Sequence, residues 1–262
     1  MAFLFALFFI LLVSVGIFYR NIPTPPPLYP LVRVQEVQAI LAKYFTYYQR
    51  LPPAQQKIFL RRVIHFIQQK QFIPRGFRPV TMEMKAMISA SAVQLTFGLP
   101  KVSLAHFKRI LIYLDDYYST ITRQYHRGEV NPRLQAIVLS WYSLVEGYAD
   151  PADARNLGLH EMAHALELEN MIENEEYQFF PTDAQRKWKQ LVNHYVPRIK
   201  TGEITFFRPY AATNAQEFFA VAVECFFENT TEFHRQHPDL YKVLATLLNQ
   251  NPLAMVSFQA QK

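Results

Sequence analysis

Apolar residues recur through most of this 262-residue chain at the spacing that places them on one side of an α-helix. Residues 53–72 show the pattern clearly, because Phe59 and Phe66 share an apolar side while Lys57 and Arg61 lie opposite. Proline and glycine residues interrupt the pattern between such segments. Helices are therefore predicted at 34–50, 53–72, 81–96, 183–200, 214–228 and 238–249.

Two short runs depart from the helical spacing. Residues 109–114 and 135–140 are continuous apolar segments rich in β-branched side chains, which are typical of strands. The residues between them are predicted to form a loop or hairpin, and residues 146–153 a further loop. The pattern as a whole predicts an α+β fold that is mostly helical and contains a small β-sheet.

The first 19 residues form an uncharged and almost entirely apolar run, which Arg20 ends. A run of this length can span a bilayer as a helix, so a transmembrane anchor is predicted at 1–19. A cleaved signal peptide is the alternative, but no Lys or Arg precedes the run, and the run is longer than a usual signal core. Residues 20–33 are predicted to be a proline-rich linker and residues 34–262 the folded domain.

The distribution of charge predicts the orientation of the anchor in the membrane. Positive residues are absent before the apolar run and frequent after it, so the positive-inside rule places the domain on the cytoplasmic side. The net charge of +6 and the pI of about 9.3 are interpreted mainly as a bias toward the membrane, because the basic residues are scattered. The sequence contains no nucleic-acid-binding motif, and no nucleic-acid partner is expected. The single cysteine, Cys225, excludes an intramolecular disulfide framework and a cysteine-rich zinc site.

The run LGLHEMAHALEL has the composition of a buried helix and contains the pattern HExxH. Its two histidines, His160 and His164, are four residues apart, so a helix presents both imidazoles on one face, where they can bind one metal ion. Glu161 lies beside them, at the position that takes a proton from water in zinc peptidases. Asp153 or Asn156 can cap the start of this helix.

A catalytic zinc site needs a third protein ligand and one open position. The metzincin spacing is excluded, because it requires glycine and histidine where this chain has Glu167 and Asn170. A thermolysin-like spacing is excluded as well, because its glutamate would fall at Ala184. Glu217 and Glu224 remain, seven residues apart on one face of an apolar predicted helix, where a lone carboxylate is costly. Spacing alone does not choose between these two.

Two stretches of the chain resemble a known family. HEMAHALE at 160–167, preceded by VLSW at 138–141, and YAATNAQEFFAV at 210–221 are similar to the signatures of the Mlc titration factor A family of zinc peptidases. The resemblance implies a zincin-like metallopeptidase domain, related to the anthrax lethal factor catalytic domain, with a small sheet and surrounding helices. It also implies peptide or protein substrates and, for the family, a transcription-regulator partner.

The resemblance also implies a role for each site residue by position. The ligands of Zn²⁺ would be His160, His164 and Glu217. Glu161 would be the general base and Tyr210 the donor that stabilises the oxyanion. Glu224 would then have a supporting or structural role outside the ligand set.

The sequence therefore predicts a zinc-dependent peptidase that hydrolyses peptide bonds through a zinc-activated water, with Glu161 as general base. Strand 135–140 is a candidate sheet edge for aligning an extended peptide by main-chain hydrogen bonds. The alternative is a zinc-stabilised, membrane-tethered binding or regulatory protein with little or no turnover. The presence of both Glu161 and Tyr210 favours the enzyme, since a structural metal site needs neither.

Overall fold

The computed structural model of the protein describes residues 33–119, 123–150, 152–172 and 178–254. The chain from Arg33 onward forms one compact unit. The predicted anchor at 1–19 and all but the last residue of the predicted linker lie outside the described residues. Within the part of the chain that is described, no helix combines the length and the apolar character needed to cross a bilayer.

Helices make up most of the described chain. They are α1 (Val34–Tyr44), α2 (Thr46–Arg50), α3 (Pro53–Gln69), α4 (Met82–Thr96), α5 (Trp141–Ala149), α6 (Leu157–Ile172), α7 (Thr182–Lys200), α8 (Ala215–Glu228), α9 (Thr230–Gln236) and α10 (Pro238–Leu248), with a 3₁₀ turn at Pro209–Ala212. Side chains cap several of their first turns. The Thr81 hydroxyl accepts a hydrogen bond from the Met84 amide at 3.2 Å, and that of Ser140 from the Ser143 amide at 3.2 Å.

A small mixed sheet has the strand order β1 (Gln71–Arg75), β2 (Arg109–Tyr113), β6 (Ala136–Ser140) and β5 (Gly128–Asn131). The first three strands are parallel, and β5 runs antiparallel to β6. A separate antiparallel ribbon pairs β3 (Tyr117–Ser119) with β4 (Gln124–His126). Because β6 is buried along its whole length between β2 and β5, the prediction that strand 135–140 is a sheet edge is wrong. Among the described strands, the edge on that side is β5.

The predicted helices are all present, and the mostly helical α+β architecture with a small sheet is confirmed. Segment 34–50 is divided into two helices, because the backbone at Phe45 is extended (φ −111°, ψ 93°). Segment 53–72 is helical only to Gln69, since the residues that follow pair with β2. The loop predicted at 146–153 starts later than expected, because α5 continues to Ala149.

The central helix is α6, which packs against α4, α8 and the strands β5 and β6. Helix α4 packs closely against α6 because the residues at their contact are small. A Cβ atom added to Gly158 of α6 would lie only 2.5 Å from Oγ of Ser91 on α4. The apolar body of α8, from Phe218 to Phe227, is buried throughout. This packing holds α6 and α8 side by side and brings the first turn of α8 to the histidines of α6.

Candidate metal centre and active site

The two histidines of α6 meet at one point. Nε2 of His160 and Nε2 of His164 are 3.1 Å apart, as expected for side chains one turn apart on the same face of a helix. His160 is buried and His164 is partly exposed. The spacing predicted from the sequence is therefore confirmed as a spatial pair.

Glu217 approaches this pair from the first turn of α8. The side chain of Asn214 caps α8 by accepting a hydrogen bond from the Glu217 amide at 2.8 Å, which fixes where the helix begins. Oε2 of Glu217 lies 3.1 Å from Nε2 of His160 and 3.4 Å from Nε2 of His164. These three residues together form a group of donor atoms that could hold a metal ion.

The donor set fits zinc. In a tetrahedral site with zinc–ligand distances of about 2.0–2.1 Å, neighbouring ligand atoms lie about 3.3 Å apart, and the three observed separations agree with this value. Burial would raise the pKa of the Glu217 carboxyl, but hydrogen bonds with the His160 and His164 rings outweigh burial and hold this pKa well below its usual value. The carboxylate is therefore ionised at neutral pH, as a metal ligand must be.

Glu224, the other glutamate that spacing left open, faces the opposite nitrogen of His160. Its Oε1 is 2.7 Å from Nδ1 of that ring, and the glutamate is only 1% exposed. A carboxylate that accepts a hydrogen bond from Nδ1 fixes the orientation of the ring and leaves Nε2 available to a metal. Of the two candidates, Glu217 belongs to the donor group, and Glu224 orients the His160 ring through Nδ1.

Arg208 neutralises Glu224. Its guanidinium donates from Nη2 to Oε1 at 2.6 Å and from Nη1 to Oε2 at 3.1 Å, and Nη1 also reaches the carbonyl of Ala154 at 2.8 Å. The amide of Asn156 donates to the same carboxylate at 2.8 Å, while its side chain caps α6 by accepting from the Leu159 amide. That cap is one of the two that the sequence predicts. Arg208 is not predictable from spacing; the only sequence signal for it is that a buried Glu224 needs a cation.

Glu161 is almost completely buried, with 5% exposure, and its carboxylate lies against β5. Gly128 provides the space for it: a Cβ atom at that position would overlap Oε1 of Glu161 and lie 2.5 Å from its Cδ. Burial raises the pKa of the Glu161 carboxyl to about 7, against the opposite influence of His160 and His164. The sequence gives no indication of the role of Gly128, because 33 positions of chain separate the two residues.

A cleft of about 610 Å³ opens onto these residues, and its lining includes His160, Glu161 and Tyr210. Tyr210 is half exposed, and its ring centroid is 6.0 Å from that of His160. Partial burial and the hydrogen-bonded carboxylate of Glu217 raise the pKa of Tyr210 to about 12. The phenol therefore remains protonated at neutral pH and can donate a hydrogen bond into the cleft.

Comparison with known proteins agrees with this geometry. A family model described as glucose-regulated metallo-peptidase M90 matches residues 32–248. An uncharacterised protein of Synechocystis sp. is 29% identical over 235 residues, which cover 82% of this chain and 84% of that protein. Mlc titration factor A of Escherichia fergusonii is 28% identical over 210 residues, 72% of this chain and 76% of its own. Mlc titration factor A of Pectobacterium atrosepticum is 26% identical over 210 residues, which cover 72% of this chain and 77% of that protein.

The family match covers most of the chain and includes every site residue described above, from Gly128 to Glu224. Within it, the HExxH helix and the first turn of α8 supply the His, His and Glu donors that a metallopeptidase of this kind requires. The resemblance indicated by the two signatures in the sequence is thereby confirmed. The chain belongs to the peptidase M90 family of metallopeptidases.

Proposed function

We propose that this metallopeptidase is zinc-dependent, with Glu161 as general base and Tyr210 as the oxyanion donor. The observation that supports the proposal is the convergence of the donor atoms of His160, His164 and Glu217. One of these ligands, His160, also lines the cleft together with Glu161 and Tyr210. A bound zinc ion would activate a water molecule for attack and polarise the carbonyl of the scissile bond.

The protein's own groups supply the remaining chemistry. Glu161 takes the proton of the attacking water and passes it to the leaving amine. The Tyr210 hydroxyl donates a hydrogen bond to the carbonyl oxygen as negative charge develops on it. Arg208 and Glu224 hold the His160 ring in the orientation that directs Nε2 toward His164 and Glu217.

We further propose that the edge strand β5 aligns the substrate. The Ser140 amide donates to the carbonyl of Arg127 at 2.7 Å. In an antiparallel pair the hydrogen-bonded positions alternate, so the main-chain groups of residues 127, 129 and 131 bond to β6. The intervening residues, Gly128 and Val130, direct their main-chain groups toward the open edge. An extended peptide paired there would pass beside Glu161, because Gly128 contacts that carboxylate.

The metal content tests the ligand set. Protein purified from Arg33 onward should hold one zinc ion per chain, and the variants His160→Ala, His164→Ala and Glu217→Ala should each lose it, because two donors bind zinc far more weakly than three. Elemental analysis of the purified variants measures this directly. Full zinc content in Glu217→Ala, together with its loss in Glu224→Ala, would reverse the assignment of the third ligand.

Turnover separates a peptidase from a zinc-stabilised binding protein. Glu161→Gln should retain zinc and fold, while hydrolysis of a small peptide at neutral pH falls by at least about 10²–10⁴-fold, the usual contribution of a general base. Tyr210→Phe should cost roughly 10²-fold, mostly in kcat, because a single oxyanion donor is lost. Equal turnover in wild type and Glu161→Gln would show that α6 does not carry the chemistry.

The location and partners of the protein are proposals as well. We propose that residues 1–19 anchor the chain in a membrane, that residues 20–33 act as a linker, and that the domain faces the cytoplasm. Several of the similar proteins bear the name Mlc titration factor A, and we extend to this chain a protein partner of the regulator type. Co-purification from membranes with and without the cleft variant Glu161→Gln would identify substrates and stable partners separately.

A further inference from the structure

Positive charge is concentrated at the start of the folded unit. Residues 33–78 contain nine Lys and Arg side chains but a single acidic one, Glu36, which is a net charge of +8 in a chain whose total is +6. The remainder of the molecule is therefore close to neutral. The interpretation that the basic charge is scattered is corrected, because the excess of positive charge lies in this segment. The segment comprises α1, α2, α3 and β1.

Some of these cations serve the fold. Arg62 donates to the carbonyls of Phe97 and Thr96, at 2.9 and 2.8 Å, and buried Lys70 donates to the carbonyl of Leu104. Such groups are satisfied internally and need no external partner. Arg62 and Lys70 therefore do not contribute to an external binding surface.

Four of the other cations lie on α1, α2 and α3, around the junction of these helices. Rings inside this junction hold it together, with centroids 5.9 Å apart for Phe45 and Phe59 and 5.7 Å apart for Tyr48 and Phe59. The outward side chains next to these rings, called here the basic surface, are Lys43, Tyr44, Arg50, Lys57, Ile58 and Arg61.

The four cations of the basic surface form no ion pair with a described residue. The pKa of Lys43 is raised mainly by its contact with Tyr44, and the charge of Glu83 on α4 adds to this effect. Two large apolar side chains are exposed among them, Tyr44 at 40% and Ile58 at 42%. On α3, Lys57, Ile58 and Arg61 share the face opposite the buried Phe59 and Val63.

We propose that the basic surface binds the headgroups of an anionic phospholipid bilayer. A bilayer interface attracts lysine and arginine electrostatically and also accepts exposed tyrosine and isoleucine side chains, whereas a nucleic-acid backbone attracts the cations alone. The first residue of the surface, Lys43, follows the predicted anchor at 1–19 by 24 residues, so an anchored chain would keep the surface near the same membrane. The proposal does not depend on the peptidase chemistry.

Vesicle sedimentation tests it with the compact unit from Arg33 onward, which contains every described buried residue. The wild type should bind vesicles containing about 30% phosphatidylserine in phosphatidylcholine, should ignore pure phosphatidylcholine, and should be released when salt is raised from about 0.1 M to about 0.5 M. Each basic residue near such a membrane contributes about fivefold in partitioning, so Lys57→Glu with Arg61→Glu should weaken binding by at least about 25-fold.

The matched control reverses two exposed lysines on another helix. Lys187→Glu with Lys189→Glu on α7 changes the net charge by the same amount and should leave vesicle binding within about twofold of wild type. Ile58→Ser should weaken binding severalfold without changing charge, because it removes an inserted apolar side chain. Thermal unfolding checks that all variants fold, as expected for exposed positions.

Three results would overturn the proposal. One is wild-type protein that ignores anionic vesicles at about 0.1 M salt. Another is an equal loss of binding in the α3 and α7 variants, which would mean that only net charge matters. The third is tighter binding to a duplex DNA or structured RNA than to vesicles, with that binding lost in the α3 variant, which would assign the surface to nucleic acid.

Discussion

Gly128 is a point of close approach between the sheet and the proposed general base. A Cβ atom there would overlap the Glu161 carboxylate, so Gly128→Ala should force that side chain out of its place against β5. We expect peptide hydrolysis to fall by roughly 10²-fold or more while zinc content stays at one per chain, because the ligands are not disturbed. The measurement is turnover alongside elemental analysis.

Val130→Ala is the matched control for that change, since Val130 lies on the same strand and its replacement adds no atoms beside Glu161. Its turnover should remain close to that of wild type. Unchanged hydrolysis in Gly128→Ala would mean that Glu161 can move without consequence, and would argue against its role as the base.

Glu224 offers a second test at the scale of single residues. Glu224→Gln keeps the shape of the side chain but removes the charge that holds His160 and Arg208. The zinc affinity should fall by about 10- to 100-fold, the usual effect of losing a partner behind a metal-binding histidine, while saturating zinc restores full occupancy. Competition with a chelator of known affinity measures the change.

Glu228→Gln is the comparison for this test. Glu228 lies one turn further along α8 and bonds to Asn156 instead of His160. Burial raises its pKa to about 8, so near pH 7 the carboxyl is mostly protonated and glutamine is a close mimic of it. Its zinc affinity should match wild type; an equal loss in both variants would show that α8 is merely destabilised.

The residues of the site differ in how far the sequence could predict them. His160 and His164 follow from helical spacing alone, because both lie on one continuous helix. Spacing could not separate Glu217 from Glu224, since only the packing of α8 on α6 decides which carboxylate faces Nε2 and which faces Nδ1. Arg208 could not be predicted from pattern, because its role depends on contacts between segments distant in the chain.

At the scale of elements, local pattern predicted the helices better than the sheet. The strands β1, β3, β4 and β5 were missed as individual strands because they are short and their stability comes from pairing with distant segments. Glu169, in the last turn of α6, is a charged residue that is buried, and it accepts hydrogen bonds from the amides of Ala105 and His106. Such a contact has no local signature.

The edge strand β5 allows a test of the proposed substrate alignment. Val130→Pro removes an amide that points away from β6, so the fold should tolerate it, while KM for a peptide should rise about 3- to 10-fold, the value of one main-chain hydrogen bond. Steady-state kinetics with an extended peptide measures the change, and kcat should be largely retained.

Proline at the neighbouring position checks the register. Glu129→Pro removes an amide that bonds to Val138 on β6, so thermal stability should fall clearly in this variant and hardly at all in Val130→Pro. Unchanged KM in a folded Val130→Pro protein would mean that substrate is aligned elsewhere.

At the scale of the whole molecule, we expect the predicted anchor and the basic surface to contribute separately to membrane attachment. The full chain should stay in the membrane fraction through washing with about 0.5 M salt, because salt does not weaken the insertion of an apolar helix. A chain that starts at Arg33 should associate only peripherally and be released by the same wash. Fractionation of cells that express each form measures this, and release of the full chain by salt would contradict the anchor.

The same charge distribution predicts the orientation of the full chain in the membrane. Residues 33–78, which follow the predicted anchor, contain nine Lys and Arg side chains, and positive residues close to a membrane span are retained on the cytoplasmic side. A protease added outside intact cells should therefore leave the domain uncut, and permeabilising the membrane should expose it to digestion. A chain in which Lys57 and Arg61 are both changed to Glu should keep this orientation, because several other cations remain between the anchor and α4. Digestion of the domain in intact cells, or a mature chain that lacks the apolar run, would show that the run exports the domain instead of holding it inside.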